Sequence, residues 1–145
     1  MDFLTSMALS ASGMSAQRMR MNIISSNMAN ANSTKTASGG PYRRREVVVS
    51  AVPLKKTFDR ELTSAVDRQL RAVQLSSIQL DQTPFRLVHN PGHPHADEKG
   101  YVSMPNVNII QEMANMIDAT RGYEANLAVL NTSKKMALKA LEIAR

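Results

Sequence analysis

The sequence contains no cysteine and no tryptophan, and it has only three phenylalanines and three tyrosines. Without cysteine the chain forms no disulfide, has no thiolate nucleophile and offers no cysteine ligand to a metal. No apolar run approaches the roughly 18 residues that cross a bilayer. No lysine or arginine precedes Arg18, so the N-terminus does not read as a Sec signal peptide. If the protein works outside the cytoplasm, we expect another export route.

The sequence also lacks the motifs of common enzyme classes, namely GxGxxG, Walker A, GxSxG and HExxH. We therefore expect no enzymatic activity, no cofactor and no bound metal ion. Three histidines and an acidic residue fall close together at His89, His93, His95 and Asp97. Metal ligands must converge, but two prolines stiffen this segment, and we expect a rigid turn with exposed imidazoles.

What the sequence does contain is a seven-residue apolar repeat at each end. Successive positions of the repeat lie alternately three and four residues apart, although a few of them, such as Arg18, Thr120 and Lys134, are polar. This spacing is typical of a stripe that faces a partner helix along its whole length. We predict that these residues pack between subunits. At the N-terminal end they are Leu4, Met7, Ala11, Met14, Met21 and Met28. At the C-terminal end they are Ile109, Met113, Met116, Tyr123, Leu127, Leu130 and Leu141.

The two repeats predict long helices. The first covers residues 2–30 and ends where asparagines cluster, because asparagine competes for backbone hydrogen bonds. The last covers residues 107–145, with Asn106 as the candidate N-cap. We predict that these helices pack lengthwise against each other, as helices do in a coiled coil.

We predict that the middle of the chain, residues 34–105, forms a linker followed by a β-rich part. Valine-rich residues 42–54 favour a strand, and residues 74–88 a second β-rich stretch that pairs with it as a hairpin. A charged excursion at about residues 55–72 contains a candidate short helix over 57–70. The predicted fold class is therefore mainly α with a small β part, whose middle segment is rich in β-hairpins.

The formal net charge is +6, and basic residues are concentrated in the middle third of the chain. A basic patch is compatible with nucleic acid or an anionic surface, although Tyr42 is the one aromatic residue beside Arg43, Arg44 and Arg45. A stacking platform for bases is therefore lacking. We interpret the charge as a solvated face and the three arginines as candidates for polar contacts between subunits.

Several blocks of the sequence resemble the bacterial flagellar rod and hook axial proteins, and among them the proximal-rod type. The first block is an N-terminal helix end with alternating asparagine and alanine. The longer and more specific similarity lies toward the C-terminus. The blocks are Ile24–Ser33, Pro41–Arg45, Asp81–Val88, His93–Asn108, Glu112–Asn126 and Leu130–Lys134.

The resemblance implies a structural subunit of the flagellar basal-body proximal rod, in which the terminal helices, residues 1–33 and 106–145, pair into a coiled-coil-like inner domain. Such a subunit polymerises helically with other rod proteins into the periplasmic drive shaft, which transmits motor torque and encloses the export channel. The implied partners are other rod proteins, further copies of the chain, the ring-to-rod adaptor, the membrane-ring protein and the flagellar type III export apparatus. We expect no nucleic-acid partner and no direct membrane insertion. The alternatives are a distal-rod or hook-type protein and, in a different class, a basic nucleic-acid-binding adaptor.

Overall fold

The computed structural model describes residues 3–37, 39–53 and 70–143. The first and last elements are long helices, and four short strands lie between them in the sequence. This confirms the predicted mainly α fold with a small β part. The elements are α1 (Phe3–Ala29), β1 (Arg45–Pro53), β2 (Arg71–Leu80), β3 (Arg86–His89), β4 (Tyr101–Met104) and α2 (Ile109–Ile143).

Helix α1 ends at the predicted asparagine cluster. Its residues include no proline and a single glycine, so nothing in its interior removes a backbone hydrogen bond. At its C-terminal end the Asn30 side chain donates to the Ser26 carbonyl oxygen at 2.9 Å. The same carbonyl oxygen also accepts from the Asn30 backbone N–H at 3.1 Å, so the side chain adds a second bond to the last turn of the helix.

Helix α2 begins two residues later than predicted and is capped by a different asparagine. The Asn108 side-chain oxygen accepts from the backbone N–H groups of Ile110 (3.0 Å) and Gln111 (3.4 Å). The prediction of Asn106 as the N-cap was therefore wrong. Asn106 instead accepts from the Arg44 backbone N–H at 2.8 Å. From Ile109 the helix continues without interruption for 35 residues to Ile143.

The strands form two two-stranded sheets, β1 with β2 and β3 with β4. The predicted pairing of the valine-rich strand with the second β-rich stretch is confirmed for β1 and β2. Strands β3 and β4 are antiparallel, with Arg86 opposite Met104 and His89 opposite Tyr101. The predicted helix over residues 57–70 lies almost entirely in the segment 54–69, outside the described residues.

By its contacts the chain forms two compact units, each of which takes segments from both helices. Unit 1 covers the described residues of 1–19, 48–77 and 119–145, and unit 2 covers those of 20–47 and 78–118. The predicted division into an inner helical domain and a β-rich middle stays a prediction. Within the described residues no helix is both long and apolar enough to cross a membrane.

In unit 1 the two helices approach closely at glycines. A Cβ atom on Gly13 would lie 2.9 Å from the Asn126 side-chain oxygen, and one on Gly122 would lie 2.9 Å from the Gln17 side-chain nitrogen. These two contacts also show that the helices run antiparallel in this unit. Because both glycines lack a side chain, the facing amide side chains fill the space that a Cβ would take.

We expect Gly13→Ala to reveal this contact through its dependence on Asn126. Alanine is favoured over glycine inside a helix by about 1 kcal/mol, but here its methyl group meets the Asn126 amide. The substitution should therefore stabilise the chain by about 1 kcal/mol more in an Asn126→Ala background than in the natural one. Urea unfolding of the four proteins measures this coupling. Equal effects in both backgrounds would contradict the close approach.

Candidate assembly interface

Asn27 lies at the centre of a buried hydrogen-bond network in unit 2. Its side chain is almost fully buried, at 1% exposure. The amide nitrogen donates to the Arg45 carbonyl oxygen at 2.8 Å and to the Glu112 carboxylate at 2.9 Å. The amide oxygen accepts from the Tyr42 hydroxyl at 2.9 Å and from the Arg45 N–H at 3.0 Å. The two donors and two acceptor positions of this amide are all used.

The second buried member is Glu112, on the first turns of α2, which has no exposed surface. One carboxylate oxygen accepts from Asn27, and the other accepts from Arg44 Nε at 2.9 Å. A buried carboxylate without partners would cost several kcal/mol. The amide and the guanidinium therefore make this position possible for a charged side chain.

Arg44 links this pair to two further carboxylates. Its Nη1 lies 3.4 Å from Asp81 Oδ2 and 3.5 Å from Glu46 Oε2. Burial by itself lowers the pKa of the Arg44 guanidinium, but the hydrogen bond and charge of Glu112, with the charges of Glu46 and Asp81, raise it above its ordinary value. Arg44 thus remains a cation throughout the physiological pH range.

Asn106 and Asp81 fasten the backbone around Arg44. The Asn106 amide accepts from the Arg44 N–H and donates to the Thr83 hydroxyl at 2.8 Å. The Asp81 N–H donates to the Arg44 carbonyl at 2.9 Å. The Thr83 backbone N–H, with the Thr83 hydroxyl and Arg44, outweighs burial and lowers the pKa of Asp81. We call the connected set the polar junction; its members are Asn27, Tyr42, Arg44, Asp81, Asn106 and Glu112.

The two neighbouring arginines also contact their own chain. Arg43 donates to the Asp81 carbonyl at 2.9 Å, and its guanidinium lies 4.4 Å from the centre of the Phe85 ring. Arg45 is exposed and lies 5.7 Å from the centre of the Tyr42 ring. A further role of Arg43, Arg44 and Arg45 in contacts between subunits stays a prediction.

The predicted packing stripes divide between half-buried and exposed positions in the isolated chain. Their role between subunits stays a prediction. The half-buried members are Met7, Met14, Met21, Met28, Met116, Tyr123 and Leu130. The exposed members are Leu4, Ala11, Ile109, Met113, Leu127 and Leu141.

The most buried face of α2 is shifted by about one residue from the predicted stripe. The side chains with the least exposure on this face are Glu112 and Ala119, both at 0%. On α1 the buried side chains include Ser10 and Asn27. Apart from Ile24, the most buried positions of the two helices are therefore small or polar residues, a property that a search for apolar periodicity does not detect.

Large apolar side chains lie on the outside of α2 instead. A long row of them is exposed where a helix of a stable monomer would normally present polar residues. They are Ile109, Ile110, Met113, Ile117, Leu127, Val129, Met136, Leu138, Leu141 and Ile143. We therefore expect part of this helix to contact other molecules.

The histidine segment forms the predicted turn. His93 Nδ1 accepts from the His95 backbone N–H at 3.1 Å, and His89 packs edge-on against Tyr101 at 5.1 Å. Asp97 accepts from the Lys99 and Tyr101 N–H groups and so shapes the turn before β4. Across residues 3–37, 39–53 and 70–143, no three metal-ligating side chains converge.

Comparison with protein families gives two matches, one for each helix. Residues 7–35 match the model described as "Flagella basal body rod protein", and residues 98–143 match "Flagellar basal body rod FlgEFG protein C-terminal". The first range contains Asn27 and the second contains Glu112, so the matches include both buried ends of the polar junction. The class of protein is that of the flagellar basal-body rod.

Comparison with individual proteins identifies the family within this class. The chain is 39% identical to the flagellar basal-body rod protein FlgC of Borreliella burgdorferi, with 99% of this chain and 98% of the relative covered. It is 42% identical to FlgC of Yersinia enterocolitica over the same shares, and 40% identical to FlgC of Bacillus subtilis over 97% of each chain. The chain belongs to the FlgC family of flagellar basal-body rod proteins.

We expect Asn27→Ala to destabilise the isolated chain strongly. It removes four hydrogen bonds in a buried site and deprives Glu112 Oε2 and the Tyr42 hydroxyl of their amide partner, although Arg44 still donates to Glu112 Oε1, at a cost on the order of 3 kcal/mol. Asn22→Ala, an exposed position on the same helix, is the matched control and should change stability by less than about 0.5 kcal/mol. Urea unfolding at low protein concentration measures both. Similar losses for the two variants would contradict the role of the junction.

The lowered pKa of Asp81 predicts a pH-dependent contribution to stability. The ionised carboxylate stabilises the folded chain fully above its ordinary pKa of 3.8, and this contribution is lost as the pH falls through the lower folded-state value. The difference in melting temperature between the natural chain and Asp81→Asn should therefore be large near about pH 6 and shrink below about pH 3.5. Asp118→Asn controls for the loss of one exposed negative charge. A difference that stays constant over this range would contradict the prediction.

Proposed function

We propose that this FlgC-family chain is a structural subunit of the proximal rod, which polymerises helically with other rod proteins into the periplasmic drive shaft. In that position it transmits motor torque and helps to enclose the export channel. The observation that carries the proposal is the distribution of side chains on α2. Its inward face contains Glu112 and Ala119 at 0% exposure, whereas Ile110 and Ile143 on its other faces are each 80% exposed.

This distribution suits a subunit that is completed by its neighbours. Fully burying an isoleucine, leucine or methionine contributes roughly 1.5–3 kcal/mol relative to leaving it in water. The isolated chain gains little of this from its outer α2 residues, so an assembly that covers them gains it instead. Contacts that join different surfaces of successive copies do not close on themselves and produce helical filaments, which is the architecture that a rod requires.

The proposed partners are further copies of the chain, other rod proteins, the ring-to-rod adaptor and the membrane-ring protein. Delivery by the flagellar type III export apparatus, without a Sec signal peptide, accounts for a periplasmic position. We propose no enzymatic activity, no cofactor and no insertion into the membrane. The polar junction supports this proposal, because Arg44 and Glu112 are bound to each other by a 2.9 Å ion pair within the chain.

A nucleic-acid-binding adaptor is the rival from another class. It would require the arginines of the middle segment to face a phosphate backbone. Arg44 is instead engaged by Glu112, Asp81 and Glu46, and Arg43 donates to the Asp81 carbonyl. Two of the three adjacent arginines are thus already used within the chain, which favours the rod subunit.

The proposal is tested in a flagellated bacterium whose own gene for this chain is removed. We expect cells without the chain to lack the rod and swimming motility, and an epitope-tagged copy to restore both. Electron microscopy of purified basal bodies with an antibody to the tag should then label the shaft. A substitution in the exposed linker, Lys35→Gln, serves as a control that should restore motility equally.

Normal motility and a complete shaft in cells without the chain would overturn the proposal. So would a tagged copy that restores motility but is absent from purified basal bodies. Duplex DNA binding by the purified chain that weakens steeply with salt, combined with either result, would favour the rival class.

A further inference from the structure

The turn before β4 contains a side-chain hydrogen bond whose acceptor is a histidine. We call residues 90–100 the histidine turn. His93 Nδ1 accepts from the His95 backbone N–H at 3.1 Å, so a side chain binds the N–H two residues further along the chain. Aspartate and asparagine are the usual acceptors of such a bond, because their side-chain oxygens lie at the right distance from the backbone. Elsewhere in this chain the equivalent acceptors are oxygens of Asp81, Asp97 and Asn108.

A histidine acceptor differs from an amide or carboxylate oxygen because one proton converts it into a donor. An imidazole nitrogen accepts a hydrogen bond only while it carries no proton, and both ring nitrogens are donors in the imidazolium ion. A proton on His93 Nδ1 would therefore meet the N–H of His95, and two donors do not bond to each other. Histidine is also the side chain that ordinarily changes its charge between about pH 5 and 8. The bond is present while His93 is neutral and is lost as the pH falls.

His95 connects the histidine turn to the loop that follows α1. Its Nδ1 lies 2.8 Å from the Thr34 hydroxyl oxygen. A hydroxyl group both donates and accepts, so this contact can persist when His95 itself becomes protonated. The contact does require that the His95 backbone stays in place, and the bond to His93 fixes that backbone. His93 is therefore the pH-sensitive residue, and His95 transmits the change to Thr34.

The loop on the other side of this contact is closed by its own backbone bonds. We call residues 33–37 and 39–42 the linker loop. The Tyr42 N–H donates to the Ser33 carbonyl at 2.9 Å at the base of the loop, and the Thr36 N–H donates to the Gly40 carbonyl at 2.9 Å nearer its tip. These bonds join the loop to itself. The contact of Thr34 with His95 joins it to the histidine turn, and both segments belong to unit 2.

Neighbouring charges do not compensate for a proton on these imidazoles. The ring centres of His93 and His95 are 5.4 Å apart, so two positive charges here would repel each other. Across residues 3–37, 39–53 and 70–143, no carboxylate forms an ion pair with a histidine. In the turn, Asp97 Oδ1 already accepts from two backbone N–H groups. The other charged side chains that flank the contact along the chain are Lys35, Glu98 and Lys99.

We propose that the histidine turn is a pH-sensitive switch that holds the linker loop at neutral pH and releases it in mild acid. While His93 is neutral it fixes the His95 backbone, and the His95 ring holds Thr34. A proton on His93 removes the first bond, and the linker loop then separates from the turn. The polar junction contains no histidine, so unit 2 stays folded through this change. A molecule that contacts the linker loop would meet a fixed surface at neutral pH and a mobile one in mild acid.

Nitrogen-15 relaxation of the full-length chain tests this switch independently of the proposed rod function. In the natural chain we expect the backbone order parameters of Thr34 and Lys35 to be about 0.85 near about pH 7.5 and to fall below about 0.6 near about pH 5.2. His93→Asn retains an acceptor for the His95 N–H but does not titrate, so its linker loop should stay ordered at both pH values. Far-UV circular dichroism verifies that the helices persist in each sample.

Two further variants locate the effect. His89→Gln removes an imidazole of the same region that packs against Tyr101, at 5.1 Å between ring centres, and it should respond to pH as the natural chain does. Thr34→Val removes the hydroxyl and should leave the linker loop mobile at both pH values. A natural chain whose loop stays ordered in mild acid would overturn the proposal. Equal mobility of the natural chain and His93→Asn in mild acid, or loss of the pH response in His89→Gln, would overturn it as well.

Discussion

The structure depends on the burial of one carboxylate. Glu112 has no exposed surface, so its charge must be balanced by groups that arrive from elsewhere in the chain. Asn27 comes from the end of α1 and Arg44 from the residues before β1, and each approaches to 2.9 Å. Arg44 in turn brings Asp81 and Asn106 into the same network. A single buried charge thereby determines how segments from much of unit 2 meet.

The polar interior and the exposed apolar side chains of α2 are related. Amides, glycines and Glu112 lie on the inward faces of the helices, whereas the isoleucines of α2, with Met113 and Met136, are exposed. A chain of this kind has modest internal apolar burial and a large area that only neighbours can cover. The interior specifies how each unit packs, and the exposed apolar side chains are those through which we propose that the chain assembles.

The helices and the β1–β2 pairing could be predicted from the sequence because they follow from strong local signals, such as the asparagines that end α1 and the valines of β1. The side of α2 that packs inward could not. Apolar residues occupy more than one side of this helix, and the buried positions include Glu112, which periodicity assigns to solvent. The N-cap was misassigned for a similar reason. Asn106 and Asn108 are equivalent in local sequence, and the tertiary contact of Asn106 with the Arg44 backbone leaves Asn108 to cap the helix.

The pairing of Asn27 with Glu112 also bears on how the chain finds its shape. The two residues are 85 positions apart, so two distant segments of the chain must meet as the protein folds. Sliding one helix along the other by a single turn, about 5.4 Å, would leave a bare carboxylate in the interior. The free-energy cost of a shifted helix alignment therefore arises mainly at Glu112, and not from many small losses along the helices. The proposed rod would therefore receive subunits in which this pair already sets the alignment of the two helices within unit 2.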